Sequence, residues 1–111
     1  MEAKRFQLAA LVLFLVLPLS GQKIYQVMYE NECDVRIMIV EEESQCDLKV
    51  FFVDDEEKSS KPGCWFVCDF PEKAEKKIFF TEDATKADIK IFIVEEESLA
   101  GWKNESKKDK M

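Results

Sequence analysis

Apolar and polar residues follow one another along this chain in blocks, and one block pattern recurs. The segment IMIVEEESQCDLK, residues 37–49, returns as IFIVEEESLAGWK at residues 91–103. Aligning the pattern along the chain gives six units with starts 13, 13, 15, 13 and 13 residues apart. A fixed period indicates one structural unit used several times. The units begin at Ile24, Ile37, Val50, Trp65, Ile78 and Ile91.

Each unit predicts a strand followed by a turn. Its first four residues are mostly apolar, β-branched or aromatic, which favours a strand. About seven acidic or polar residues follow, and they predict a solvent-facing connector. The tenth residue is small, the twelfth is usually apolar, and the thirteenth is basic in five units. The one longer step contains Lys61-Pro62-Gly63, a turn insertion.

The repeat predicts a mostly β fold with six 13-residue strand-turn repeats in one compact domain. Connectors of about seven residues are too short for a helical crossover between parallel strands. Two arrangements remain, a solenoid and an antiparallel meander that closes into a small sandwich or barrel. A thirteen-residue unit is short for a solenoid coil with several strands, so the closed antiparallel sheet is favoured.

The N-terminus has the layout of a secretory signal peptide. Lys4 and Arg5 precede an apolar run at residues 8–19, and the small residues Ser20 and Gly21 follow it. We therefore predict a signal peptide at residues 1–21 and one domain at residues 22–111. This domain ends in a short basic tail, which we expect to be frayed. The predicted location is secreted or periplasmic, with no stable membrane anchor after cleavage.

Composition narrows the possible functions. The net charge is −7, and it becomes −8 without residues 1–21, which carry one acidic and two basic residues. Such a balance disfavours nucleic acid as a partner. The chain has no histidine and no glycine-rich phosphate loop, so neither a catalytic nor a cofactor site is expected. Carboxylates at residues 41–43, 54–57 and 95–97 are possible calcium ligands, although solvated connectors are the favoured interpretation.

Four cysteines allow two disulfides in a secreted chain. Cys64 and Cys68 lie about 13 Å apart along an extended strand, too far to form a bridge. Cys33 and Cys46 occupy equivalent positions in successive units, so they could bridge if those units pack side by side. Free thiols in small buried sites are the favoured alternative.

The repeated pattern of an apolar strand followed by acidic-x-x-x-Ala-Asp-apolar-Lys resembles the septoil knot family of small bacterial secreted domains. The segments that carry this resemblance are KIYQVMYENECDVRI, SQCDLKVFFVD, GCWFVCDFPEKAEKKIFF, ATKADIKIFIV and SLAGWKNESKKDKM. The resemblance implies a deeply knotted, seven-crossing chain and no enzymatic activity. Cys33 and Cys46 stand where the family usually has alanine. Family tyrosines are replaced at Glu42, Asp55, Asp83 and Glu96, while Tyr29 and Phe70 keep an aromatic ring.

These observations predict a monomeric, non-enzymatic secreted or periplasmic protein. Its acidic connectors would bind an unidentified protein or surface. Two alternatives remain open, a stable structural protein without a specific ligand and a weak calcium binder. No residue is predicted to be catalytic, to bind a cofactor or to hold a metal.

Overall fold

The computed structural model describes residues 22–111. The strands are β1 (Gln22–Gln26), β2 (Val35–Ile39), β3 (Leu48–Val53), β4 (Cys64–Val67), β5 (Lys76–Phe80), β6 (Ile89–Ile93) and β7 (Gly101–Trp102). Most connectors contain a short 3₁₀ turn, at Glu30–Glu32, Glu43–Gln45, Glu56–Ser60, Pro71–Lys73 and Glu97–Leu99, and Glu105–Lys110 follows β7. Each predicted repeat contributes one of the strands β1 to β6, so the strand-turn unit is confirmed.

The six repeat strands close into a barrel in which all neighbours are parallel. Their order is β4-β1-β5-β2-β6-β3, and pairing of β3 with β4 closes the ring. β5 therefore lies between β1 and β2, and β6 lies between β2 and β3, so the chain passes around the barrel twice. Among the strands of residues 22–111, only the short β7 is antiparallel, on β3. The predicted closed sheet is confirmed, but its predicted antiparallel meander is wrong.

The stagger of the strands explains how short connectors join parallel strands. Gln26, the last residue of β1, pairs with Ile78, and Ile78 also pairs with Val35, the first residue of β2. The end of one strand is thus level with the start of the next. Except between the neighbours β3 and β4, a connector crosses one intervening strand, about 10 Å, and does not return along the strand. Such a stagger is what closure of a tilted barrel requires.

The first residue of each repeat unit forms the centre of the core. These six side chains are at most 1% exposed, and they are Ile24, Ile37, Val50, Trp65, Ile78 and Ile91. Val35, Leu48 and Ile89, two residues before a unit start, extend the same cluster. The barrel interior is therefore filled by side chains. The fourth residue of most units is also buried, on the strand face opposite the barrel interior, as at Val27 and Val40.

A reciprocal pair of hydrogen bonds fastens each of four strand junctions. The acidic residue at the eleventh position donates its backbone N–H to a carbonyl on the neighbouring strand, and its carboxylate accepts from the N–H of that same neighbour. The N–H to carbonyl distances are 2.7–2.8 Å, and the N–H to carboxylate distances are 2.8–2.9 Å. We call these pairs carboxylate locks; they join Asp34 to Lys77, Asp47 to Lys90, Glu75 to Lys23, and Asp88 to Arg36.

The C-terminal tail is held on the barrel, so the predicted fraying is wrong. The backbone N–H groups of Lys103 and Asn104 donate to the carbonyl of Asp47 at 2.8 and 2.9 Å. The Asn104 side-chain amide donates to the Asp47 carboxylate at 3.1 Å, and the Lys107 ammonium lies 3.6 Å from it. Trp102 and Met111 pack against the core. The sequence shows the lysines of this tail, but it does not show that the buried Asp47 carboxylate binds the tail.

The predicted signal peptide lies outside the described residues and stays a prediction. Within residues 22–111, no helix is long and apolar enough to cross a membrane.

Candidate binding surface

The two ends of the barrel differ because all six strands run in one direction. The amino end is where strands begin, and the carboxyl end is where they stop. At the amino end, Trp102, Met111 and the tail cover the core. At the carboxyl end, the last inward-facing residue of each strand is the third of its repeat unit. We call these six residues the carboxyl rim: Gln26, Ile39, Phe52, Val67, Phe80 and Ile93.

The carboxyl rim is largely apolar and partly open to solvent. Ile39 is 46% exposed, Val67 50% and Ile93 41%. Phe52 and Phe80 are half-buried against the core, and Phe52 makes an edge-to-face contact with Trp65 at 6.2 Å between ring centroids. No segment within residues 22–111 covers the exposed members of this rim.

An acidic border follows the rim on neighbouring strands. Two carboxylates come directly after the buried fourth residue on β2, β3 and β6, and these strands are consecutive in the barrel. All six carboxylate side chains belong to exposed residues. We call them the acidic collar: Glu41, Glu42, Asp54, Asp55, Glu95 and Glu96. After β1 and β4 the same positions include exposed Met28, Tyr29 and Phe70.

Two aspartates among the sixth-position residues have a local structural role. Asp55 accepts a hydrogen bond from the backbone N–H of Glu57 at 3.0 Å, which caps the 3₁₀ turn. Asp83 accepts from both the N–H and the hydroxyl of Thr85, and these bonds lower the pKa of Asp83. Glu42 and Glu96 stand at the same position without a side-chain capping bond. Their carboxylates are therefore not needed for the turn.

Many connector carboxylates are unpaired within the described chain. Residues 41, 42, 95 and 96 form no ion pair with a lysine or arginine of residues 22–111. By contrast, Glu30 accepts from Arg36 Nε at 2.7 Å, and this hydrogen bond lowers the pKa of Glu30. In the collar, Asp54 pairs with Lys58 at 3.4 Å, and the other five carboxylates have no basic partner within residues 22–111.

Most strands have a lysine or arginine just before or near their start, where Lys23 pairs with Glu56 at 3.1 Å and Lys49 approaches Glu43 at 3.9 Å. Lys58 lies instead in the connector after β3 and pairs with Asp54. Lys103 donates to the carbonyl of Glu43 at 3.0 Å. The surface beside the carboxyl rim therefore carries unpaired negative charge, whereas several basic residues are engaged by their own chain.

The cysteines predicted as a possible bridge lie on strands that are not neighbours. Cys33 precedes β2 and Cys46 precedes β3, and β6 runs between these strands. The side-by-side packing on which the predicted bridge depends is therefore not met. All four cysteines are free thiols in the structure. Burial raises the pKa of Cys46, Cys64 and Cys68, which makes these thiols slow to react in the folded protein. The disulfide itself stays a prediction.

Within residues 22–111, no three carboxylate or thiol groups converge on a point that could hold a metal ion. A shallow groove of about 330 Å³ lies on the barrel surface, lined by Met38, Val40, Gln45, Ala84 and Lys90. It is open and contains one charged group, so it does not have the convergent polar groups of a small-molecule site.

Comparison with protein families supplies an identification for this barrel. A family model described as "7(1) septoil knot domain" matches residues 21–103. The chain belongs to the septoil knot family. No curated protein and no solved structure matched the chain. The family resemblance inferred from the repeat is thus confirmed, and membership by itself supplies no ligand for the septoil knot domain.

Sequence reasoning found the acidic connectors but missed the carboxyl rim. The third residues of the units belong to the segment that predicts a strand, and five of the six are apolar, so nothing in the pattern distinguishes them. Their exposure depends on all strands pointing the same way, which gathers the strand ends into one place. The direction of the strands is the part of the architecture that the sequence analysis predicted wrongly.

Proposed function

We propose that this septoil knot domain is a non-enzymatic binding module that works outside the cytoplasm, in the secreted or periplasmic fraction. Its acidic connectors would engage a protein or surface partner, and the protein itself would be a monomer without a membrane anchor. The observation that carries this proposal is a set of exposed carboxylates without a basic partner within residues 22–111: Glu41, Glu42, Asp55, Glu95 and Glu96. Exposed charges that form no ion pair within the fold are available for contact with another molecule.

Catalysis and nucleic-acid binding form no part of this proposal. The exposed carboxylates recur at equivalent repeat positions, as expected of a surface pattern, whereas an active site needs a few groups at one point. The net charge of −7 would repel a polyanion.

The proposal is tested by isolating the protein from the cells that produce it. The full chain is expressed with an affinity tag behind a flexible C-terminal linker, since Met111 packs against the core. Partners are then cross-linked in the intact culture and quantified by mass spectrometry. One stoichiometric partner, lost when Glu41, Glu42, Glu95 and Glu96 are changed to Gln, supports the proposal. A solitary protein in every fraction contradicts it and favours a structural protein without a ligand.

We also propose that the chain follows the seven-crossing path that the family description names. The double passage around the barrel supports this idea, since β5 and β6 are inserted between strands of the first passage. A threaded chain should fold and unfold slowly, which gives kinetic stability in a protease-rich compartment. Stopped-flow unfolding and refolding test this directly. Complete, reversible transitions within milliseconds would refute the threaded path.

A further inference from the structure

Exposed large apolar side chains are concentrated at one end of the barrel. Within residues 22–111 they are Met28, Tyr29, Ile39, Val67, Phe70, Ile93 and Leu99. All except Leu99 lie in the carboxyl rim or in the two positions that follow the buried fourth residue. Scattered single apolar residues are normal on a protein surface, but a cluster at one place indicates an interaction site.

The apolar and acidic parts of this end alternate along the same strands. In β2, Ile39 is followed after one buried residue by Glu41 and Glu42. β6 lies beside β2 and repeats this order at Ile93. Ile39 pairs in register with Ile91, two residues before Ile93, so the two exposed isoleucines lie diagonally across one strand pair. An apolar centre thus has negative charge along its border.

We propose that the carboxyl rim and acidic collar together dock a cationic amphipathic segment of a partner protein. Apolar side chains of the partner pack on Ile39 and Ile93, and its lysines or arginines face the collar. This inference rests on the proposed binding function and adds the place of contact and the chemistry of the partner. Apolar anchors surrounded by complementary charge are the common arrangement of a specific protein interface.

Other occupants fit this surface less well. Two rims facing each other would bring their collars together, and like charges at close range repel. The amino end of a second copy is basic, but its Lys23, Arg36 and Lys49 already face carboxylates of their own chain. An anionic membrane surface would be repelled by the collar. A separate cationic partner satisfies both the apolar and the acidic parts.

Two synthetic peptides of equal charge test the inference. Both carry the same number of lysines, and one has leucines at helical spacing where the other has serines. The protein is purified as the cell produces it from the full coding sequence, and binding is measured by fluorescence anisotropy. We expect the Lys/Leu peptide to bind roughly tenfold more tightly than the Lys/Ser peptide, because only leucine covers the exposed isoleucines. Added salt should weaken the binding of both peptides.

Matched variants assign the effect to the rim. Ile39→Ser with Ile93→Ser should remove the tenfold preference, whereas Leu99→Ser should keep it. Leu99 is 47% exposed, similar to Ile39 at 46%, but it lies outside the carboxyl end. Since these side chains are already partly solvated, both variants should remain folded. Near-ultraviolet circular dichroism, which reports the environment of buried Trp65, checks this.

Each other outcome has a defined meaning. Equal binding of the two peptides, unchanged by the isoleucine variants, overturns the rim inference but leaves charge-based binding by the connectors intact. Absence of binding to either peptide also overturns it, and the cross-linking experiment then decides the proposed function separately. Concentration-dependent dimers that disappear in the isoleucine variant would show that a second copy covers the rim. Co-flotation with phosphatidylcholine vesicles would assign the rim to lipid; either result replaces the proposed partner.

Discussion

Replacing Asp47 by alanine should destabilise this protein much more than the same change at Asp34. Both residues occupy the eleventh position of a repeat, and both form a carboxylate lock with a neighbouring strand. Asp34 is exposed, whereas Asp47 is 9% exposed because the C-terminal tail lies over it. The two alanine variants therefore compare the same carboxylate lock at a solvated position and at a buried one.

The expected magnitude follows from the contacts of each side chain. The Asp47 carboxylate accepts from the Lys90 N–H at 2.9 Å and from the Asn104 amide at 3.1 Å. A hydrogen bond to a charged group contributes about 1.5–3 kcal/mol where water cannot replace it, and a partly exposed ion pair such as that with Lys107 adds at most ~1 kcal/mol. Allowing for relaxation, Asp47→Ala should cost about 3 kcal/mol. Asp34→Ala loses one solvated bond and should cost about 1 kcal/mol.

Urea unfolding measures both values, with tryptophan fluorescence as the signal. Unfolding and refolding curves must coincide after equilibration before a free energy is taken from them. Hydrogen exchange then locates the damage, since the Lys90 N–H loses its carboxylate acceptor in Asp47→Ala, whereas the N–H groups of Lys103 and Asn104 keep the backbone carbonyl of residue 47. Equal destabilisation by the two variants, or a Lys90 N–H that exchanges as slowly in Asp47→Ala as in the wild type, would refute the claim that the buried Asp47 carboxylate stabilises this junction.

Three further outcomes are expected. Gly63→Ala should lower the free energy of unfolding by about 2 kcal/mol or more in urea titrations, because a Cβ there lies 2.6 Å from two backbone atoms and φ is +86°; a neutral substitution would contradict this. Burial raises the pKa of Asp47, but hydrogen bonds and the Lys107 charge outweigh it and keep that pKa below its ordinary value of 3.8. The carboxylate therefore stabilises the fold above about pH 3.8, and this contribution is lost as pH falls through the folded pKa, so urea midpoints should fall less steeply with acid in Asp47→Ala than in the wild type. Carboxymethylation of the unfolded, unreduced chain should label all four cysteines, and protection of Cys33 and Cys46 would instead show the predicted bridge.

The sequence predicts the local structure of this protein well because the residues within each repeat determine its strand and its turn. Four apolar residues specify a strand, and the first of them proves to be the central core residue in every unit. The acidic residues that follow specify an exposed turn. These features depend on neighbours within about thirteen residues, so one unit is sufficient to establish them.

Strand order and direction depend on contacts between distant units, and six units with one pattern do not show which of them pair. Asp34 is locked to Lys77, and Asp88 to Arg36, across separations of 43 and 52 residues. Since six units share one pattern, any unit could pair with any other on local grounds. The short connectors then favoured antiparallel neighbours, because the stagger that allows a short parallel connection exists only in the closed barrel. The carboxyl rim was missed for the same reason.

Positions that depart from the repeat indicate where the barrel closes, which the repeated pattern does not show. The eleventh position is acidic in four units, but it is Ser60 in the third and Gly101 in the last. Near Lys49 of β3 there is no space for a lock, since a Cβ on Gly63 would meet both the Lys49 carbonyl oxygen and the Gly101 nitrogen. Here Gly101 pairs with Lys49 through the antiparallel β7 bridge instead. Gly63 and the two-residue insertion thus mark the seam where β3 meets β4, because a side chain at residue 63 would collide with two other backbones. A Cβ at Gly101 would meet nothing, and glycine there permits the positive φ of +147°.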